Sequence, residues 1–194
     1  MVSRTISYWL DYVVGKFLRR LFQNPKRILR YYVKPGMTVL DVGAGKGYFS
    51  LGMAKMVGSN GRILAVDLKA QEIESLKKRA AHARVSERID ARVCGERNLA
   101  IDELAGQVDF ALAYYVVHHA PDVDALMAEV HKALRPGGRF LIAEPSHHAS
   151  TEYCAATEAA AEKAGFVLAD HPKLTRDWAV LFLKNGSTNR YGQT

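Results

Sequence analysis

Short apolar runs alternate along this chain with longer segments in which apolar residues recur at helical spacing. Short runs bounded by Gly, Pro or Asn predict buried strands, and the longer segments predict amphipathic helices. The predicted strands are 38–42, 62–66, 89–94, 108–114, 140–144, 166–170 and 178–183, and the predicted helices between them are 48–57, 69–83, 123–134 and 151–164. Strands that alternate with helices are typical of an α/β fold with a doubly wound, mostly parallel sheet. Only a short connection joins the last two strands, which suits an antiparallel pair.

The stretch 39–50, which reads VLDVGAGKGYFS, joins the first strand to the first of these helices through a glycine turn. Gly43, Gly45 and Gly47 allow the backbone to turn sharply and a ligand to approach it closely. The start of the following helix directs free N–H groups at whatever lies above the turn. The G-x-G-x-G spacing differs from the dinucleotide pattern G-x-G-x-x-G, because position 48 is Tyr48. The turn therefore predicts a ligand site, and a glycine turn that only permits strand–helix packing is the alternative.

Two acids lie in the strands next to this turn. Asp41 belongs to the first strand, and Asp67 ends the second strand about twenty residues after the glycine turn. A carboxylate at the tip of the second strand can accept both hydroxyls of a ribose in charge-assisted hydrogen bonds. Several classes of nucleoside-cofactor enzyme share this arrangement, so Asp67 indicates a nucleoside ligand without choosing between those classes.

Two His-His pairs follow the fourth and the fifth predicted strands, at 118–119 and at 147–148. The carboxyl ends of neighbouring parallel strands meet at one edge of the sheet, where ligands bind. Imidazole titrates near neutral pH, so one of these side chains could act as a general base. The histidines could instead form a metal site with Glu144, or they could be packed and rim residues without a chemical role. The residues alone leave these three interpretations open.

Taken in order, the motifs resemble those of the class I S-adenosylmethionine (SAM) dependent methyltransferases. They are DVGAGKG at 41–47, the hydrophobic-His-His segment at 116–119 and LRPGGRF at 134–140, and the resemblance covers roughly residues 34–184. It implies a Rossmann-like sheet of seven strands, mostly parallel with an antiparallel last strand, and helices on both faces. The implied organisation is an N-terminal extension of amphipathic helices over 1–33, a methyltransferase domain over 34–184 and a flexible tail over 185–194.

The resemblance also implies the roles of individual residues in a SAM site. The glycine turn would pass under the methionine part of SAM, and Asp41 would hold its ammonium group directly or through water. Asp67 would bind the ribose, and Leu68 would face the adenine. The position that often holds an acid near the adenine is Gly95 here, which makes the neighbouring Glu96 the candidate. The implied cofactor residues are Asp41, Gly43, Ala44, Gly45, Gly47, Asp67, Leu68, Glu96, Ala113 and Tyr114.

Methyl transfer needs an aligned acceptor and, for some acceptors, a base, because SAM itself carries the activated methyl group. The candidates for that base are His118 and His119. No metal is expected, and a site formed by His118, His147, His148 and Glu144 is kept as a minor hypothesis. The predicted cofactor is S-adenosyl-L-methionine, with S-adenosyl-L-homocysteine (SAH) as its product.

Composition changes this picture little. Two cysteines without C-x-x-C spacing fit a reducing cytoplasm, and no apolar run approaches the length of a membrane span. A net charge of +7 leaves an anionic partner possible.

Apolar and basic residues at helical spacing in residues 1–33 predict an amphipathic helix pair. This pair would cover the ligand cleft, or it would contact a membrane or lipid surface peripherally.

We therefore predict a SAM-dependent methyltransferase that acts on a small molecule, as a cytoplasmic monomer or homodimer. The lack of a long substrate domain favours a small molecule over nucleic acid, although an RNA or a membrane-associated acceptor is kept as an alternative. A non-catalytic SAM-binding or interaction protein is the second alternative. A nicotinamide oxidoreductase is disfavoured, because the glycine spacing is narrower than that class requires.

Overall fold

The computed structural model of this chain describes residues 23–175 and 177–186. Most of the predicted N-terminal helix pair, over residues 1–22, lies outside the described residues, and so does the predicted tail from residue 187 onward. Within the described part of the chain, no helix is long and apolar enough to cross a lipid bilayer.

One sheet of seven strands forms the centre of the structure. The strands are β1 (Thr38–Val42), β2 (Arg62–Asp67), β3 (Ile89–Val93), β4 (Val108–Tyr114), β5 (Leu134–Pro145), β6 (Phe166–Asp170) and β7 (Asp177–Lys184). Their order across the sheet is β3-β2-β1-β4-β5-β7-β6. In this spatial order, the five strands β3, β2, β1, β4 and β5 each pair in parallel with their neighbours. Strand β7 pairs antiparallel with both β5 and β6. The predicted doubly wound, mostly parallel sheet with an antiparallel last strand is confirmed.

Helices cover both faces of the sheet. Among the described residues they are α1 (Pro25–Leu29), α2 (Tyr48–Val57), α3 (Ala70–His82), α4 (Val123–Ala133) and α5 (Thr151–Lys163). Buried side chains of α1, α2 and α3 pack on one face, and those of α4 and α5 pack on the other. Successive strand residues point to opposite faces, so Val39 belongs to the first apolar core and Leu40 to the second.

The strand order reverses between β1 and β4. The chain leaves β1 toward β2 and β3, and it later returns to add β4 and β5 on the other side. Crossovers on opposite faces leave a crevice above the carboxyl ends of these two strands, where open α/β sheets bind ligands. The glycine turn after β1 and the histidine pairs after β4 and β5 therefore meet at one edge of the sheet.

Some elements differ in extent from their predicted bounds, because tertiary contacts lengthen or shorten them. The sequence predicts that the fifth strand starts at Phe140, but β5 starts at Leu134. Leu134 pairs with Val108 before the register of the two strands shifts between Val108 and Phe110. Helix α1 ends at Leu29, where the backbone tightens and the N–H of residue 32 donates to the Leu29 carbonyl at 2.9 Å.

Candidate active site

A cleft with a volume of about 550 Å³ opens above the carboxyl ends of β1, β2, β3 and β4. This volume lies in the range of pockets that bind small molecules and cofactors. The residues that line it are Val42, Gly43, Gly45, Asp67, Leu68, Lys69, Glu72, Cys94, Glu96, Arg97, Asn98, Leu99, Tyr115, Val116, His119, Ala120, Pro121 and Leu126.

The glycine turn forms one side of the cleft, and two of its glycines are required by packing inside the protein. Gly43 has φ +63°, and a Cβ atom there would lie 3.0 Å from Val116 Cγ1 and closer still to Cγ2. Gly47 has φ +78°, and its Cβ would lie 2.7 Å from Leu76 Cγ. A Cβ atom at Gly45 would meet no atom within 4 Å, and Gly45 lines the cleft. Gly45 therefore leaves room for a ligand, whereas the other two leave room for neighbouring side chains.

Asp67 ends β2 and holds its carboxylate against the glycine turn. The Gly45 N–H donates to Asp67 Oδ2 at 2.8 Å, and the Lys69 N–H donates to Oδ1 at 2.9 Å. The Ala44 N–H donates to the Val66 carbonyl at 3.0 Å, which ties the turn to the same strand. Each carboxylate oxygen keeps a second lone pair that can accept a ligand hydroxyl. The protein's own backbone therefore fixes the orientation of this carboxylate.

Asp41 lies beneath the turn and does not line the cleft. Its side chain is buried, and it accepts a hydrogen bond from Ser50 Oγ at 2.5 Å. Burial raises the pKa of Asp41 to about 7, the hydrogen bonds from Ser50 oppose this rise, and the charge of Asp67 adds to it. Asp41 is therefore an acid whose charge can change near neutral pH, directly under the glycine turn.

A second side of the cleft comes from the segments that follow β2 and β3. Leu68 is 46% exposed and lines the cleft, as do Cys94 and Glu96. Burial raises the pKa of the Cys94 thiol to about 11, so this thiol is protonated at neutral pH. Arg97 Nε lies 3.1 Å from Asp122 Oδ2, and this ion pair joins the segment after β3 to the segment after β4.

The chain reverses sharply where β4 ends, because Tyr115 has a left-handed backbone with φ +64°. The predicted cofactor residues Ala113 and Tyr114 are buried and do not line the cleft, whereas Tyr115 and Val116 do. The Tyr114 and Tyr115 hydroxyls both donate to Asp177 at the start of β7. At this strand the side chains of Ala113 and Tyr114 pack into the two cores, so the turn beyond β4 faces the cleft instead.

The first histidine pair is anchored by a buried acid near the end of β5. Glu144 has no exposed surface, and its Oε1 accepts the Val117 N–H at 2.8 Å and the His118 N–H at 3.3 Å. Its Oε2 is hydrogen-bonded to His118 Nδ1. His119 lines the cleft, whereas His118 does not and keeps 11% of its side chain exposed.

The four histidines after β4 and β5 form a row of neighbouring rings. The ring centroids are 3.9 Å apart for His118 and His119, 4.7 Å for His118 and His148, and 4.3 Å for His147 and His148. Imidazole lone pairs lie in the ring plane, so rings that face each other do not converge on one ion. No group of three or more His, Cys, Asp or Glu side chains in residues 23–175 and 177–186 could hold a metal ion. The minor hypothesis of a metal site that includes Glu144 therefore has no geometric support.

Half of the predicted cofactor and catalytic residues line this cleft. The predicted residues that line it are Gly43, Gly45, Asp67, Leu68, Glu96 and His119. Asp41 is buried below the glycine turn, and Ala44 and Gly47 are buried residues of the turn itself. Sequence reasoning missed the cleft residues Cys94, Arg97, Asn98, Tyr115 and Val116. The strand ends were the available signal, because the residues directly after β1, β2, β3 and β4 line the cleft.

The fold and the cleft define the class of this protein. A mostly parallel sheet with β7 inserted antiparallel between β5 and β6 is a Rossmann-like methyltransferase fold. A solved SAM-dependent methyltransferase from Aquifex aeolicus shares it, with a TM-score of 0.76 and 20% identity, over 86% of this chain and 92% of that chain. At this identity the likeness concerns the fold alone.

Sequence comparison gives the family. Residues 33–186 match the family model described as a methyltransferase domain, and this chain belongs to the class I SAM-dependent methyltransferase family. The ubiquinone biosynthesis O-methyltransferase of Paramagnetospirillum magneticum is 32% identical over 143 residues, which are 74% of this chain and 52% of that protein. The 2-phytyl-1,4-naphtoquinone methyltransferase of a Nostoc species is 30% identical over 109 residues, 56% of this chain and 47% of that protein. This chain spans about half the length of these two curated relatives and a smaller fraction of the length of some other relatives.

Proposed function

We propose that this chain binds SAM in the cleft and transfers its methyl group to a small-molecule acceptor. The observation that carries the proposal is the Asp67 carboxylate, which the Gly45 and Lys69 N–H groups orient and which retains a lone pair on each oxygen. Two adjacent ribose hydroxyls match this pair of acceptors. The family match supports the same cofactor.

The residues around Asp67 suit the other parts of SAM. Gly45 leaves open space where the methionine part would pass. Asp41, whose pKa is raised to about 7, would take a negative charge when the SAM ammonium group lies near it, directly or through water. Leu68 and Glu96 line the side where the adenine would lie. The donor set and the cleft volume therefore fit the cofactor.

The protein's part in the reaction is to position the acceptor and to remove its proton. Bound SAM supplies the activated methyl group. The cleft would align the acceptor atom with that group, which is a large source of rate enhancement. His119 lines the cleft and packs against His118. We assign the role of general base to this pair, and such a base contributes roughly 10²–10⁴-fold to the rate.

The acceptor that we propose is a small molecule. The cleft has the volume of a small-molecule site, and the two relatives described above are named for ubiquinone biosynthesis and for a naphthoquinone. An acceptor screen with methyl-labelled SAM tests this assignment, with quinone precursors as the first compounds. A non-catalytic SAM-binding protein would bind the cofactor and methylate none of the acceptors.

Calorimetric titration with SAM, SAH and NADH tests the cofactor. We expect micromolar binding of SAM and SAH and no binding of NADH. Asp67→Asn leaves one acceptor oxygen for two backbone N–H donors and two ribose hydroxyls, so SAM affinity should fall on the order of 100-fold. Asp102→Asn is the matched control, because Asp102 is an exposed acid paired with Lys132. Folded, nucleoside-free protein that binds neither SAM nor SAH would remove the proposal.

A basic face formed by α1 and the residues that follow it, up to Lys34, favours a membrane-associated form of the acceptor. Tyr31 is 64% exposed, and the Arg30 guanidinium lies 4.6 Å from the centroid of its ring. Lys26, Arg27 and Lys34 are also exposed in this segment. Cations beside an exposed aromatic ring are typical of segments that bind an anionic lipid surface. We propose that this face binds such a surface weakly, which would give the enzyme access to an acceptor dissolved in the lipid.

A further inference from the structure

Glu144 is a fully buried acid at the end of β5 that does not line the cleft. Its two oxygens have different partners. Oε1 accepts two backbone N–H groups, from Val117 and His118, and Oε2 is bonded to His118 Nδ1. A buried charge is costly unless hydrogen bonds surround it. The turn after β4 supplies all three of these bonds, so β5 and this turn are joined through one carboxylate.

These bonds determine where the hydrogen of the neutral His118 ring lies. An ionised carboxylate can only accept hydrogen bonds, so Nδ1 must carry the hydrogen when it bonds Oε2. The other ring nitrogen, Nε2, then keeps its lone pair and is the basic atom. A second partner that fixes the tautomer of a histidine is a common feature of sites in which the ring takes up a proton.

We propose that Glu144 is a positioning residue that holds neutral His118 in the Nδ1–H tautomer and thereby makes Nε2 the proton acceptor. His118 does not line the cleft itself, so a bridging water carries the acceptor's proton to Nε2. The resulting imidazolium is paired with the Glu144 carboxylate, which stabilises its charge. No other group of the protein has to gain or lose a proton in this step. The inference rests on the proposed function only for the identity of the reaction that uses the base.

A single substitution separates this role from mere packing. Glutamine has the shape of glutamate but only one acceptor oxygen. In Glu144→Gln, the amide oxygen can satisfy the Val117 and His118 N–H groups, and the amide NH₂ then faces His118 Nδ1. An NH₂ group must donate there, so Nδ1 has to lose its hydrogen and Nε2 has to carry it. The substitution should therefore reverse the tautomer of His118.

Nitrogen NMR of histidine-labelled protein measures this tautomer without any acceptor. The pH is raised until the His118 nitrogen signals are those of a neutral ring, and the tautomer is read there; the His118 signals are identified by their loss in His118→Asn. We expect the Nδ1–H form in the native chain and the Nε2–H form in Glu144→Gln. His171 and Glu158 form a second His–Glu pair, with Nε2 and Oε1 2.9 Å apart and both side chains partly exposed. Glu158→Gln is the matched control and should leave the His118 signals unchanged.

The native spectrum alone can overturn the proposal, so the test survives if the variant does not fold. An Nε2–H ring in the native chain would refute it, and so would an Nδ1–H ring in folded Glu144→Gln. With an acceptor in hand, Glu144→Gln should lower kcat by about 100-fold, because the base is lost, and leave SAH affinity within about twofold. Failure of SAM to bind would end the proposed function, but it would leave the tautomer result as a separate finding.

Discussion

Replacing Gly43 by alanine tests whether the glycine turn is required by packing as well as by the ligand. A left-handed residue other than glycine costs roughly 1–2 kcal/mol. The new Cβ would also lie 3.0 Å from Val116 Cγ1 and closer to Cγ2, and overpacking of this kind costs roughly 1–3 kcal/mol. The free energy of unfolding should therefore fall by about 2–5 kcal/mol, measured by urea unfolding.

Gly106→Ala is the control for the backbone contribution alone. Gly106 has φ +70°, and a Cβ atom there would meet nothing within 4 Å, so only about 1–2 kcal/mol should be lost. Val116 lines the cleft, and its displacement in Gly43→Ala should weaken SAH binding at least tenfold in a calorimetric titration. Equal losses of stability in the two variants, together with unchanged SAH binding by Gly43→Ala, would refute the packing argument.

Two further predictions concern charge. The pKa of Asp41 is raised in the folded protein to about 7, so the native state binds more protons than the unfolded state between about pH 4 and 7. The native chain should therefore lose stability relative to Asp41→Asn as the pH rises through this window. A difference in unfolding free energy between the two proteins that stays constant with pH would contradict the raised pKa of Asp41. The double variant Lys26→Glu/Arg27→Glu should lose binding to vesicles of anionic phosphatidylglycerol at low salt. The equally charged variant Lys77→Glu/Lys78→Glu on α3 should retain it, and equal losses would indicate general charge attraction only.

The architecture could be predicted from the sequence because its determinants are local. Short apolar runs separated by helical segments are set by side-chain periodicity, and they predicted every strand of the sheet. The glycine turn and Asp67 could also be predicted from the sequence. A sharp turn needs residues without Cβ, and an acid at a strand end faces the edge of the sheet where ligands bind. These features depend on neighbours in the chain, and the structure places both at one cleft.

The partners of individual side chains could not be predicted in this way. The sequence assigned Ala113 and Tyr114 to the cofactor, but the chain turns at Tyr115, which has a left-handed backbone, and Tyr115 and Val116 line the cleft instead. Such a turn is held by contacts with a distant segment, here the bond between Tyr115 and Asp177 at the start of β7. No local pattern encodes a contact between residues that far apart.

The same distinction applies to the acids and histidines. The sequence by itself determined which residue types follow each strand, and thus that two His-His pairs and Glu144 share one edge of the sheet. Only the tertiary structure decided that Glu144 is buried and bonded to His118, and that the rings pack against one another without converging on an ion. Burial and hydrogen-bond geometry arise when β4 and β5 pair in their particular register, and that register is a property of the assembled sheet.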